Sequence, residues 1–72
     1  MDLFEIDETV RMRREEAADR LRAIADEIAG KNSLDLTRGG HRVTLSVPAE
    51  VDFNLEVEIS DDEQGIEIEI TW

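Results

Sequence analysis

The glutamates of this chain are the side chains best placed to do chemistry. Glu56 and Glu58 alternate with Leu55, Val57 and Ile59, and Glu67 and Glu69 alternate with Ile66, Ile68 and Ile70. A hairpin that sets Ile59 against Ile66 puts Glu58 opposite Glu67 and Glu56 opposite Glu69. Facing carboxylates share a proton as general acid and base, or hold a hard divalent cation through oxygen ligands. Hydrolysis would also need a pocket, and an open sheet face supplies none. A solvated outer face, tolerable in high salt, is the simpler reading of the four residues. Weak divalent-cation binding comes second, and catalysis is the most distant.

The remaining polar candidates carry less. His41 is the single histidine, next to a Gly-Gly pair and without a nucleophile at a suggestive spacing, so it reads as a fringe residue. Arg11, Arg13 and Arg14 form the one basic cluster, with no aromatic platform beside it, and nucleic acid is not an expected partner. Asp61 to Gln64 lack the alternating ligand spacing of a calcium loop. Arg42 is expected beside Glu56 on the outer face, as a rim ion pair of little net value. Trp72 differs from all of these. It is the only tryptophan, it ends the chain on the apolar parity of the last strand, and Phe53 is expected opposite it. It is either a lid on the core or an aromatic anchor for self-association, where tryptophan is enriched.

Composition limits what these residues can belong to. Seventy-two residues make one domain, 1–72, and at this size a core alone supplies roughly 3–5 kcal/mol. There is no cysteine, so neither a disulfide nor a thiolate zinc site can add to it. A partner subunit is the natural remaining source of stability. Nineteen acidic residues face eight basic ones, for a formal net charge of −11, and Lys31 is the only lysine. Charge of this size opposes compaction at low salt, and molar salt, with a Debye length of about 3 Å, removes most of that repulsion. The acids are spread along the chain instead of blocked in a tail, which favours salt adaptation over mimicry of nucleic acid or the binding of basic partners. No basic leader precedes an apolar run, and no stretch approaches the ~20 apolar residues of a membrane span. The expected location is the cytoplasm, with no membrane partner.

Alternation and periodicity then supply the elements. Residues 3–10 alternate through Phe4, Ile6 and Val10 and predict a strand. Residues 14–29 predict a helix whose stripe is Ala17, Leu21, Ile24 and Ile28, stopped by Gly30. Oppositely charged Glu16 and Arg20, and Arg22 and Asp26, stand at i,i+4 on it. Arg13 and Arg14 sit where an N-cap acceptor is preferred. Leu34 and Leu36 predict a strand that turns at Gly39-Gly40, where both φ angles can be positive, so that Leu36 faces Val43 and Leu34 faces Leu45. Pro48 to Glu50 turn the chain again, and two regular strands run through 51–60 and 66–72. The sum is an α+β fold of order β-α-β-β-β-β. One amphipathic helix lies on one face of a mostly antiparallel five-stranded sheet.

The helix REEAADRLRAIAD, the strand SLDLT, Pro48 followed by VDFNLEVEI, and the terminal IEIEITW together resemble the amphi-Trp domain family of small, mostly haloarchaeal proteins. The resemblance covers nearly the whole chain. It departs at Met12-Arg13-Arg14, where the family tends to place a serine-like cap. It implies haloarchaeal origin and the fold above, with no assigned biochemical activity and so no functional residues to carry over.

The sequence thus predicts a non-enzymatic, salt-adapted interaction module without a cofactor. It would act on itself as a homo-oligomer, or dock an unidentified protein along an edge strand. Trp72 and Phe53 are the expected contact residues. Weak cation binding by Glu56, Glu58, Glu67 and Glu69 is the alternative.

Overall fold

The computed structural model describes residues 5–38 and 40–72, with the side chains of all these except Lys31 and Arg38. Its elements are a helix α1 (Arg14–Lys31) and strands β1 (Ser33–Arg38), β2 (His41–Ser46), β3 (Asp52–Ile59) and β4 (Gln64–Thr71). The α+β class holds. The five-stranded sheet does not, because among the described residues β1 pairs only with β2 and β3 only with β4, as two separate antiparallel hairpins.

The expected N-terminal strand is also corrected over its described part. Residues 5–13 form neither helix nor strand, while Leu3 and Phe4 lie outside the described residues. The apolar parity of this segment runs Phe4, Ile6, Glu8, Val10, so a strand would carry a carboxylate inward at Glu8. Instead Glu8 forms an ion pair with Arg20 of α1 at 3.7 Å, and Val10 and Met12 lie beside Ala17, Leu21 and Ile24. The segment is laid along the helix.

The helix starts without help from a side chain. Arg13 is the N-cap with extended backbone and makes no capping hydrogen bond; its carbonyl accepts the amide of Ala17 at 3.1 Å. Glu15 and Glu16 in the first turn complement the helix dipole. Arg22 turns back to Asp19 at 2.9 Å instead of forward to Asp26, and Arg20 reaches Glu8 instead of Glu16. The helix runs past Gly30, and its left-handed stop is Asn32, at φ 53°. Asparagine tolerates this conformation because its short polar side chain can bond locally.

The first hairpin has the expected register, with Leu34 opposite Leu45 and Leu36 opposite Val43. Gly40, at φ 80°, supplies the positive angle of its turn; Gly39 lies outside the described residues. On the other face Thr44 donates to Asp35 at 2.8 Å and Arg42 lies 3.5 Å from the same carboxylate. Arg42 is therefore a neighbour of Asp35 and not, as expected, of Glu56.

Residues 47–51 carry the chain from this unit into the second hairpin. The amide of Val47 donates to the carbonyl of Asn32 at 2.8 Å, tying the root of the linker to the end of the helix. Val47 is 6% exposed and is the one buried hydrophobic residue among those described. Beyond it β3 and β4 stand away as an arm. Among the described residues, no Cα of the arm's strands comes within 8 Å of a Cα in α1, β1 or β2.

A candidate interaction surface

The arm's register is set at its tip. Ser60 donates its amide and its hydroxyl to the carbonyl of Glu63, each at 2.9 Å, and its hydroxyl accepts the amide of Glu63 at 3.1 Å. This closes a tight turn at Asp61-Asp62 and places Ile59 opposite Gln64. The expected partner of Ile59 was Ile66, so the ladder is shifted by two residues. Val57 meets Ile66, Leu55 meets Ile68 and Phe53 meets Ile70.

The glutamates move with it. Glu56 lies opposite Glu67, Glu58 opposite Gly65, and Glu69 opposite Asn54. One facing carboxylate pair remains where two were expected. Among the described residues no three histidine, aspartate or glutamate side chains gather as metal ligands. Glu56, Glu58, Glu67 and Glu69 are all exposed, along a shallow outer face. The other polar candidates are dispersed. His41 is exposed opposite Arg38. Arg13 and Arg14 approach Glu15 at 3.8 and 3.4 Å, which offsets part of the basic cluster.

The apolar side of the arm is a different surface. The ladder ends at Asp52 and Thr71, so Trp72 stands one step beyond it, level with Val51 and not with Phe53. Trp72 is 54% exposed and Phe53 64%, so neither is enclosed within one chain. The same holds farther out, where Leu55, Val57, Ile59 and Ile66 line the arm without cover, Ile59 at 77% and Ile66 at 70%.

At the arm's root this face looks onto the helix across an open cleft of about 440 Å³. The helix contributes Leu21, Ile24, Ala25 and Ile28; the first hairpin contributes Leu34 and Leu45, and the linker Val47. Phe53, Ile68, Ile70 and Trp72 form the arm's wall. The lining is almost wholly apolar. Phe53 and Trp72 are thus brought to one cleft, although not as a cross-strand pair. Sequence reasoning missed Ile59 and Ile66 as surface residues. Their alternation marks one shared face, but whether that face is covered depends on where the whole hairpin goes.

The family model of the Amphi-Trp domain matches residues 2–72, and the chain belongs to this family. Comparison with curated proteins and with solved structures gives no match.

Proposed function

We propose that this protein is a non-enzymatic interaction module adapted to high salt, and that it acts by associating with itself. The carrying observation is the exposed apolar surface. The chain has 6862 Å² of accessible surface, whereas a folded monomer of its mass has about 4,500 Å². Its radius of gyration is 14.2 Å, against about 11 Å for a compact domain of this length. Among the described residues twelve large hydrophobic side chains are exposed, most of them on the arm and around the cleft. An apolar surface on that scale in a soluble chain marks an interaction site. Among the described residues each strand also has one hydrogen-bonded neighbour, which leaves edges that another strand can extend.

Sedimentation velocity in molar potassium chloride across a range of concentrations tests the reading. A dimer or larger species is expected. A monomer at every concentration would overturn it. Weak divalent-cation binding now rests on the Glu56–Glu67 pair alone. Calorimetric titration with calcium and magnesium in the same buffer should show no saturable heat.

Among the described residues no helix is long and apolar enough to cross a membrane. The cytoplasm and a salt-rich cell remain the setting we propose, on the strength of the charge balance.

A further inference from the structure

We infer that two copies join by exchanging arms, the outer apolar face of each β3–β4 hairpin seating in the helix-lined cleft of the other copy. This rests on the self-association proposed above and specifies its surface.

The arm and the cleft each lack what the other offers. The cleft receives only the arm's root from its own chain, through Phe53, Ile68, Ile70 and Trp72. β3 has eight residues, about 27 Å of extended chain, so its outer half runs well past that wall. Leu55, Val57, Ile59 and Ile66 therefore project where their own helix does not reach, and Leu21 and Ile24 stay 52% and 42% exposed on the cleft's floor. A two-fold axis satisfies both deficits at once, because an isologous contact pairs arm with cleft twice.

Area agrees with this. The chain's excess over a compact monomer is about 2,300 Å², so a dimer that removed it from both copies would bury roughly 4,600 Å². That lies within the roughly 2,000–5,000 Å² of obligate dimers. Charge selects the faces that meet. Each copy carries −11, and the arm's opposite, acidic face bears Glu56, Glu58, Glu67 and Glu69, so two such faces repel. Apolar face against apolar cleft keeps these carboxylates in water. A basic protein partner would be drawn to the acidic face and would leave the apolar one bare.

The chain has no cysteine of its own, so introduced thiols report without background. With the arm placed as it is here, Ile24→Cys on the helix and Val57→Cys on the arm are too far apart to bridge within one chain, because their Cα atoms are more than 8 Å apart and a disulfide needs under about 7 Å. Oxidation of the double variant in molar potassium chloride should give a covalent dimer on a non-reducing gel. Either single variant should stay unlinked. Leu21→Cys with Ile66→Cys forms a second pair, so that one misjudged register does not decide the result. In the unsubstituted protein, isotope-filtered NMR on mixed labelled and unlabelled chains should show contacts from the Ile59 and Ile66 methyls to Leu21 and Ile24 across copies.

If the protein sediments as a dimer but neither pair links between chains and the cross-copy contacts are missing, arm exchange is wrong and self-association stands. Links formed only within single chains would overturn arm exchange in the same way. If it sediments as a monomer throughout, both fall together.

Discussion

Glu56 and Glu67 face each other directly across the arm, and both carboxylates are exposed. Like charges in that position destabilise a ladder by roughly 0.2–1 kcal/mol when screening is weak. Replacing either by glutamine should therefore raise the melting temperature in millimolar salt, and the gain should shrink in molar salt. Glu58→Gln supplies the control. Its cross-strand neighbour is Gly65, so its effect should be smaller than that of Glu56→Gln. The reverse order in thermal melts would restore the register in which Glu58 faces Glu67. Sequence could not separate the two registers, because a slip of two residues keeps every isoleucine on the same face. The decision belongs to Ser60, whose hydroxyl closes the turn on Glu63. The first hairpin was legible for the converse reason: a two-residue Gly-Gly turn leaves one register open.

At the scale of elements, the helix is under-specified at its start and held at its end. Arg13 offers no acceptor to the first-turn amides, and Arg13→Ser should add about 1 kcal/mol to stability by supplying one. Asn32 ends the helix at φ 53°, a conformation that costs a residue with an ordinary Cβ roughly 1–2 kcal/mol. Asn32→Ala should lower the denaturation midpoint accordingly, while Asn32→Gly should leave it nearly unchanged. Equal effects from the two would show that the left-handed angle is not what matters there. The helix's span was readable from its 4-3-4 stripe and its end was not. Gly30 and Asn32 are both accepted stop residues, and the choice went to the one whose carbonyl takes the Val47 amide. The separation of the two hairpins was unreadable for a related reason. Alternation tells which side of a strand avoids water, and it is silent on whether the cover comes from the same chain.

For the whole molecule the opposing quantities are apolar surface and net charge. Burial between copies gains from the hydrophobic effect, while bringing −11 against −11 opposes it until salt shortens the range of the repulsion. Both the melting temperature and the dimer fraction should therefore climb from millimolar to molar potassium chloride. A flat response in circular dichroism and sedimentation would remove the case for salt adaptation. Trp72 is half exposed at the mouth of the cleft. Trp72→Ala should keep the helical signal and weaken the dimer by about 2 kcal/mol or more, roughly thirtyfold in Kd. Loss of the helix signal in the isolated variant would mean that the ring is needed to fold the single chain.

Among the described residues the ladders join only strands that follow each other in sequence, and the helix approaches only β1, the element directly after it. That locality has a kinetic consequence. Chains rich in near-neighbour contacts form them in microseconds to milliseconds, with little loop to close. The helix and both hairpins should therefore appear early after dilution from denaturant, at a rate indifferent to protein concentration. Covering the apolar arm is then a collision between two molecules, and its rate should grow in proportion to concentration. Stopped-flow circular dichroism reads the first event and Trp72 fluorescence the second. If both signals move together in one concentration-independent phase, the single chain finishes its fold unaided and the arm finds its cover at home.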